Sequence, residues 1–318
     1  MRRHSFVWPV LISVLSFLFM VSGSVAFGSS DGSKIRFGSL PVLQALPLYV
    51  AADKGFFKKN GVDVELIPFN TASEKDIALS AGAIDGYFGD LVTPLVLKGN
   101  GRNIVIVAAN YDTRHDRRMF AVLGKPGGPY KSAADLASIP VAVSSNSVIH
   151  FVTESLLKDN GLPVEKIEFL ESKNIGLRMQ MLLTGQVEAA TLPEPLVTAA
   201  AAKGAVVLAD DSGLATSQTV LVFARPFAER HRSAVNSFLR AVAEAADLIN
   251  QQPDAVRAIM VEHVRLPEQL KRSYPVPRFP KLGVPDKQAL ETIATWLKDR
   301  KVINSTVEFG NVVDGSFL

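Results

Sequence analysis

The chain contains an internal duplication with an offset of about 100 residues. Residues 60–69 read NGVDVELIPF and residues 160–169 read NGLPVEKIEF, with six of the ten letters identical. The similarity extends to residues 79–85, which match residues 182–188, and each unit ends in a Lys-Gly pair, Lys98-Gly99 and Lys203-Gly204. Two similar α/β units predict two lobes with a ligand cleft between them. Chance recurrence of Asn-Gly turns and glycine helix stops is the alternative.

The first 26 residues have the pattern of a secretory leader. Arg2 and Arg3 are followed by an almost unbroken apolar run over residues 6–21, and Ser24-Val25-Ala26 supplies small residues for a signal peptidase. An uncleaved membrane anchor is the alternative, because the run approaches the roughly 20 residues that span a bilayer. The leader predicts export, and the remaining residues 27–318 are the part expected to fold.

Composition excludes several classes of protein. The leader holds two of the 34 basic residues and none of the 31 acidic ones, so the remainder is almost neutral and gives no support for nucleic-acid binding. The chain has no cysteine, which excludes disulfide partners, thiolate metal sites and a lipidated N-terminal cysteine. An exported chain without cysteine fits a bacterial periplasm.

Apolar runs typical of strands alternate with helical patterns along the first two thirds of the chain. This alternation predicts parallel sheets flanked by helices. The predicted strands are residues 34–38, 62–68, 86–89, 103–109, 141–143, 166–170, 188–192, 205–209 and 219–224. The predicted helices are residues 46–54, 73–80 with Ser73 as the cap, 91–98, 148–160, 174–184 and 194–202.

Beyond residue 224 the pattern becomes helical. Pro226 is expected to open a helix that runs to about Gln252, Pro253 to open a second, and residues 286–300 to form a third. Residues 274–284 hold four prolines together with apolar anchors, which favours an ordered extended loop over a disordered spacer.

Several stretches give the chain a family resemblance over nearly its whole exported length. They are residues 47–57 (PLYVAADKGFF), 60–64, 81–85 leading to Gly89-Asp90, 132–136, 141–147 and 185–195. Together they resemble the solute-binding proteins of ABC importers, in the branch that binds aliphatic sulfonates, taurine, nitrate or thiamine pyrimidines.

The resemblance implies an α/β, two-lobed type II periplasmic-binding-protein fold, each lobe a mainly parallel sheet flanked by helices. It implies a monomer without cofactor or metal, an ABC permease of the inner membrane as partner, and a small-molecule ligand. The expected divisions are residues 1–26 as leader, 27–120 as the first part of lobe 1, 121–218 as lobe 2, and 219–318 as a return to lobe 1. The crossings are expected near residues 120–122 and 217–221.

Ligands of open parallel sheets bind beyond the carboxyl ends of the strands. Six loops meet that condition, at residues 40–45, 70–73, 89–91, 110–112, 144–148 and 193–195. Small polar side chains directly before a helix can bind a solute, although helix capping alone would explain one of them. The candidate ligand-binding residues are Leu43, Gln44, Asn70, Thr71, Asp90, Asn110, Tyr111, Ser144, Ser145, Asn146, Ser147 and Glu194.

The charge of the ligand stays open. Asp90 and Glu194 occupy equivalent places in the two units and would favour an amine-bearing solute, or would serve as helix N-terminal charges or as partners that hold the lobes together. The basic group Arg114, His115, Arg117 and Arg118 could bind an anion in bidentate fashion, or be a solvated loop. Tyr111 could stack on a planar ligand or pack internally.

Catalysis is not expected. The chain has no His-Glu-x-x-His, Gly-x-Ser-x-Gly or phosphate-binding glycine motif. Enzymes of thiamine-pyrimidine synthesis resemble this fold but carry a cysteine-rich motif, and menaquinone-route enzymes are cytoplasmic. The expected function is that of a periplasmic solute-binding protein that delivers its solute to a permease by lobe closure. An extracytoplasmic sensor and an enzyme on the same fold are the alternatives.

Overall fold

The computed structural model describes Met1, residues 34–113 and residues 118–318. Almost all of the predicted leader, and Arg114, His115 and Arg117 of the basic group, lie outside the described residues. None of the helices in the described part of the chain combines the length and the apolar character that a membrane crossing requires.

The first of the two sheets in the described residues combines strands from the beginning and the middle of the chain. Its spatial order is β2-β1-β3-β10-β4. The first four strands in sequence are parallel, and β10 runs opposite to both of its neighbours. The strands are β1 (Ile35–Ser39), β2 (Val64–Pro68), β3 (Gly86–Asp90), β4 (Ile104–Asp112) and β10 (Gln218–Ala224).

The second sheet repeats this topology. Its order is β7-β6-β8-β5-β9, so each strand has a counterpart at the same place in the first sheet. Here β5 is the strand that runs opposite to its neighbours. The strands are β5 (Phe120–Gly124), β6 (Val141–Val143), β7 (Phe169–Glu171), β8 (Ala189–Pro193) and β9 (Val206–Asp210). The predicted duplication and the mainly parallel sheets are confirmed.

The reversed strand in each sheet is the one that arrives from the other sheet. The chain passes from the carboxyl end of β4 to β5, and from the carboxyl end of β9 to β10. A strand that enters at the carboxyl edge of its new neighbours must run antiparallel to them. The two passages therefore join the carboxyl edges of both sheets. The first passage lies between β4 and β5 and the second at residues 211–217, each just before the predicted crossing. The predicted lobe boundaries themselves stay a prediction.

Helices cover both sheets, and the C-terminal helices return to the first lobe. The first lobe carries α1 (Leu46–Asp53), α2 (Phe56–Lys59), α3 (Ala72–Ser80) and α4 (Val92–Gly99), and the second carries α5 (Val148–Asp159), α6 (Ile175–Leu183) and α7 (Leu196–Ala201). The remaining helices are α8 (Arg225–Arg230), α9 (Arg232–Gln251), α10 (Pro253–His263), α11 (Lys287–Asp299) and α12 (Phe309–Val312). Of these, α8 packs on β10, α9 and α10 pack on α1, and α11 and α12 pack on α4.

Short 3-10 turns complete the secondary structure of the described residues. They occupy Leu43–Ala45, Ala133–Leu136, Val164–Lys166, Glu268–Leu270 and Gly315–Phe317. Glycines with positive φ end helices where the sequence predicts a stop, as at Gly55 (φ 71°) and Gly161 (φ 85°). Glycine adopts this conformation without the clash that a Cβ atom would cause.

Two predicted helix boundaries are wrong. The helix expected from Pro226 is two helices, because His231 leaves helical geometry (φ −115°, ψ 40°) between α8 and α9. The cap of α3 is Thr71 rather than Ser73, since the Thr71 hydroxyl accepts a 3.2 Å hydrogen bond from the Glu74 amide.

Two predicted strand boundaries are also wrong. Residues 166–168 lie outside β7, because the Lys166 amide donates to the Pro163 carbonyl (2.9 Å) and closes a 3-10 turn there. Strand β4 continues three residues beyond the predicted Ala109, because β10 pairs with it as far as Asp112. Asn110 and Tyr111 therefore lie in a strand rather than in a loop.

The proline-rich segment at residues 274–284 is ordered, as predicted. Tyr274, Val276 and Phe279 are buried. The Asn250 side chain donates to the Phe279 carbonyl (2.8 Å) and accepts from its amide (2.9 Å). The segment is thus bound to α9 along its backbone, which excludes the disordered spacer.

A cluster of four phenylalanines forms the centre of the first lobe. The Phe238 ring on α9 lies 4.6 Å from that of Phe37 on β1, 5.4 Å from Phe57 on α2 and 5.5 Å from Phe223 on β10. Phe238 is completely buried. One side chain from the C-terminal region thus contacts both the sheet and the N-terminal helix α2.

Asp211 ties the two passages between the lobes together. Its Oδ1 atom accepts hydrogen bonds from the amides of Met119 (2.8 Å) and Phe120 (2.9 Å), where the first passage enters β5. The Thr113 hydroxyl at the other end of that passage donates to the Asp211 carbonyl (2.8 Å). Asp211 is fully buried, and burial raises the pKa of its carboxyl to about 6.

Candidate functional site

The carboxyl edges of the two sheets bound a cleft, because both passages join these edges. Loops from both lobes therefore face one another across it, as expected for open parallel sheets. On the first lobe, these loops follow β1, β2 and β3; on the second, they follow β6, β7 and β8.

The loop after β6 offers the largest set of accessible polar groups. Ser145 and Asn146 are exposed, and Ser144 and Ser147 are half-buried. Ser147 caps α5 by accepting from the Ile149 amide (3.2 Å), while its own hydroxyl donates to the Ser144 carbonyl (2.7 Å). Helix capping therefore accounts for Ser147 and leaves the other three side chains free of that role.

Two backbone amides of this loop are already engaged. The Ser145 amide donates to Glu171 Oε2 (2.8 Å), and the Asn146 amide donates to His150 Nδ1 (3.1 Å). Asn146 has a left-handed backbone (φ 57°), which asparagine tolerates better than most residues. Within the described chain, no hydrogen-bond partner is recorded for the Asn146 side-chain amide, so it is available to a solute.

A second polar loop, at Asn70 and Thr71 after β2 of the first lobe, is also exposed; its counterpart by topology is the loop after β7 rather than the loop after β6. Glu74 Oε2 accepts from the Asn70 amide (3.0 Å), and the Thr71 hydroxyl caps α3. The Arg265 guanidinium donates to Asn70 Oδ1. Asn70 is thus hydrogen-bonded to the exposed Arg265 at the edge of the cleft. The sequence does not indicate that these two residues are neighbours.

Four other candidates lie inside the first lobe. Leu43, Gln44, Asn110 and Tyr111 are all buried. Asn110 donates to the Gln44 carbonyl (2.9 Å) and accepts from the Thr219 hydroxyl (2.9 Å). The Tyr111 ring contacts Phe279 edge-on at 5.6 Å. These four residues therefore pack inside the first lobe. Tyr111 does not present its ring to the cleft in this structure.

The paired carboxylates Asp90 and Glu194 act at helix N-termini. Asp90 Oδ1 accepts from the amides of Val92 (2.8 Å) and Thr93 (3.0 Å) at the start of α4. Glu194 accepts from the Thr198 hydroxyl (2.8 Å) in α7 and from Arg118 Nε (2.8 Å). Of the basic group, Arg118 is described, and its charge is matched by Glu194. These contacts favour the capping interpretation over an amine site.

Two buried basic residues near the cleft were missed. Lys75 in α3 is fully buried; its Nζ atom lies 2.8 Å from Asp76 Oδ1 and 3.2 Å from the centre of the Tyr87 ring, and burial lowers its pKa. Arg178 in α6 is also fully buried. The signal was present in the sequence: Arg178 shares the apolar face of α6 with Ile175 and Leu182, at helical spacing.

Residues of α5 and α11 form a contact between the lobes, and one of them, His150, also binds the Ser144–Ser147 loop. The Trp296 indole on α11 donates to Glu154 Oε2 (3.2 Å) on α5, and Arg300 binds the same carboxylate. The His150 ring, which accepts from the Asn146 amide, contacts Trp296 edge-on at 5.2 Å. Burial and Arg300 lower the pKa of His150, so it is neutral and keeps Nδ1 as an acceptor at neutral pH.

Glu154→Ala is expected to cost about 1–3 kcal/mol of unfolding free energy, because the buried Trp296 N–H and Arg300 lose their acceptor. Trp296 is the only tryptophan beyond the predicted leader, so its emission should shift to longer wavelength as the lobes separate. Urea unfolding followed by fluorescence measures both effects. Glu262→Ala, at an exposed position on α10, is the control. Unchanged stability and emission would exclude an interlobe role for Glu154.

One group of possible metal ligands lies away from the cleft. Ligand atoms of Asp53, Glu262 and His263 fall within 4.8 Å of one another, at the end of α1 remote from its cleft-side start. His263 Nε2 is 3.1 Å from Asp53 Oδ2, and its ring stacks on Tyr49 at 4.6 Å. The His263–Asp53 hydrogen bond and the stacking of His263 on Tyr49 account for this arrangement without an ion.

Comparisons with known proteins agree with this architecture. A relative from Escherichia coli strain K12, described as an aliphatic sulfonates-binding protein, is 27% identical over 201 residues, which span 62% of this chain and 61% of the relative. The match therefore covers less than two thirds of that relative's length.

Two solved structures share the fold. The periplasmic aliphatic sulphonate binding protein SsuA from Escherichia coli has a TM-score of 0.75 at 20% identity, covering 87% of this chain and 91% of that one. The alkanesulfonate-binding protein SsuA from Xanthomonas axonopodis pv. citri, bound to MOPS, has a TM-score of 0.74 at 18% identity, covering 88% and 98%.

A model of the family described as NMT1/THI5 like matches residues 43–256, more than half of the chain. This range contains both duplicated units and every loop of the cleft except the residues before Leu43. The chain has the periplasmic-binding-protein fold and belongs to the NMT1/THI5-like family.

Proposed function

We propose that the protein is the extracytoplasmic solute-binding component of an ABC importer. It would capture a small organic or anionic solute between its lobes and deliver it to a permease of the inner membrane. The relatives named for sulfonate binding and the predicted leader support this role and a periplasmic location. The protein would act as a monomer and not as an enzyme.

The observation that carries the proposal is a pair of exposed polar loops, one at the carboxyl edge of each sheet, on opposite sides of the cleft. Asn70 and Thr71 follow β2 of the first lobe, and Ser145 and Asn146 follow β6 of the second. All four are exposed; β6 is buried throughout, and β2 is the half-exposed edge strand of its sheet. A solute that contacts both loops would favour lobe closure, because it gains contacts with the second lobe only when the cleft narrows.

A ligand screen by thermal unfolding tests the proposal. The exported protein would be heated with alkanesulfonates, taurine, nitrate, carboxylates and pyrimidines. A solute at about one hundred times its dissociation constant should stabilise the protein by about 2.7 kcal/mol, a shift of several degrees. A bound solute that remains chemically unchanged supports capture. A solute that is consumed would support an enzyme, and no shift with any solute would contradict the proposal.

Substitutions in the two loops then test the site. Asn146→Gly, which keeps the left-handed backbone, and Asn70→Ala should each weaken binding about tenfold by removing a hydrogen bond to the solute. Their melting temperatures without ligand should stay close to that of the original protein. Asn304→Ala, at an exposed position outside the cleft loops, is the control. Intact binding in both cleft variants would place the solute elsewhere.

A further inference from the structure

Arg178 is the largest fully buried side chain in the described part of the chain. It projects from the first turns of α6, whose cap Asn174 accepts from the Leu177 amide (2.9 Å). Its guanidinium donates to the carbonyls of Ser172 and Thr191 and to the Ser144 hydroxyl. Ser144 and Ser172 directly follow β6 and β7, and Thr191 lies in β8. The cation is therefore fixed under the cleft edge of the second sheet.

The charge of Arg178 is not balanced by a carboxylate. Its hydrogen-bond acceptors are two neutral carbonyls and one hydroxyl, and among the described residues no ion pair includes it. Burial lowers the pKa of Arg178 to about 10, and the charge of Glu171 opposes that shift only in part. The side chain is thus charged at neutral pH. A buried charge without a counter-charge is unfavourable, so this position attracts an anion.

Arg178 also fixes the direction of the Ser144 hydroxyl. The guanidinium Nη2 atom lies 2.5 Å from Ser144 Oγ, and since arginine only donates, the serine oxygen accepts. The hydroxyl hydrogen must then point to another acceptor, and none is recorded for it among the described residues. Ser144 is half-buried at the cleft. A ligand oxygen that accepts from it would lie about 5 Å from the guanidinium.

We propose that Arg178 makes the second lobe selective for solutes that carry an anionic group, which binds at the Ser144 hydroxyl. This inference rests on the proposed solute-binding function and narrows its substrate class. Arg178 acts as a positioning residue: it orients Ser144 and supplies the positive field, and Ser144 makes the contact with the solute.

The other charged groups at the cleft agree with this choice. Asp90 and Glu194 are held by helix amides and by Arg118, as described above, and Lys75 is paired with Asp76. Glu171 is engaged by the Ser145 amide. Arg265, which donates to the neutral Asn70, is exposed to solvent and lies on the first lobe. Within the described chain, Arg178 is therefore the fully buried basic residue at the cleft that has no ion pair.

Matched anionic and neutral solutes test the inference by calorimetric titration. The pairs are propanesulfonate with propanesulfonamide and benzoate with benzamide, together with any solute found in the thermal screen. The original protein should bind an anion at least tenfold more tightly than its neutral partner. Arg178→Met should reduce the ratio of anion affinity to neutral-solute affinity about tenfold or more, mainly by weakening anion binding. Arg178→Lys should restore part of that ratio. Arg225→Met, at the opposite edge of the first sheet, should leave the ratio unchanged.

Ser144→Ala keeps the buried cation and serves if Arg178→Met does not fold. This variant should weaken binding of the anion more than binding of its neutral partner. Tight binding of neutral or cationic solutes in preference to anions by the original protein would overturn the inference and leave the solute-binding function intact. An unchanged anion ratio in both folded Arg178→Met and Ser144→Ala would also overturn it. Failure to bind any solute would instead remove the proposed function itself.

Discussion

Phe238→Ala is expected to lower the unfolding free energy by about 3–5 kcal/mol, the usual cost of deleting a buried phenylalanine ring. The ring is fully buried and contacts three other aromatic rings at 4.6–5.5 Å from α2, β1 and β10. These elements come from distant parts of the sequence, so the cavity cannot close by a local shift. The loss should therefore fall in the upper part of that range.

Calorimetry of the protein without its predicted leader measures the effect. At this chain length, each kcal/mol moves the melting temperature by roughly 2–4 °C, so a fall on the order of 10 °C is expected. Phe238→Leu, which retains most of the volume, should lose about 1–2 kcal/mol. Equal losses for the two variants, or a loss below about 1 kcal/mol for alanine, would show that the aromatic cluster does not hold α9 against the sheet.

Asp211→Ala is expected to cost about 2–5 kcal/mol at neutral pH, because the buried amides of Met119 and Phe120 lose their shared acceptor. Asp211→Asn keeps an acceptor oxygen at that place and should be much less destabilising. The contrast between the two variants separates the hydrogen bonds from the charge. Urea midpoints at fixed pH measure both, and equal losses would contradict this account of the passages.

The buried carboxyl of Asp211 also gives a pH prediction. The pKa of Asp211 in the folded protein is about 6, above its ordinary value of 3.8, so the folded state binds this proton more tightly than the unfolded chain does. The resulting stabilisation is complete below pH 3.8 and is lost as the pH rises through about 6. The Asp211→Asn variant has no titratable carboxyl at this position, so it does not lose stability in this way. The variant should therefore gain stability relative to the original protein by roughly 1–3 kcal/mol between pH 4 and pH 7.5. A constant difference over that range would contradict the raised pKa.

The sequence predicted the elements and the architecture well because these depend on local patterns. The alternation of β-branched runs with helical stretches, and glycines such as Gly55 and Gly161, are properties of adjacent residues. The duplication also predicted two sheets of equivalent topology. Boundaries were wrong where a distant partner decided them: β4 extends to Asp112 because β10 pairs with it, and α8 separates from α9 at His231 although Pro226 gives a strong start signal.

The candidate site was predicted only in part. Residue type and position placed Ser144, Ser145 and Asn146 in a loop after a strand, and in the structure Ser145 and Asn146 are exposed there while Ser144 is half-buried. The same reasoning chose Asn110 and Tyr111, which the longer β4 places inside the lobe. It missed Arg178, because a basic residue on a helix is usually exposed, and only the tertiary structure shows that this one is buried.

The sequence by itself determined the α/β alternation, the duplication and the family, since each is written in short segments whose conformation or identity does not depend on distant contacts. Tertiary structure alone decided which polar groups are free and which are satisfied. Glu194 pairs with Arg118, 76 residues earlier, Asp211 joins two passages about 90 residues apart in sequence, and Arg178 is buried without an ion pair. Those outcomes depend on hydrogen bonds and burial between segments far apart in the chain, which no local pattern encodes.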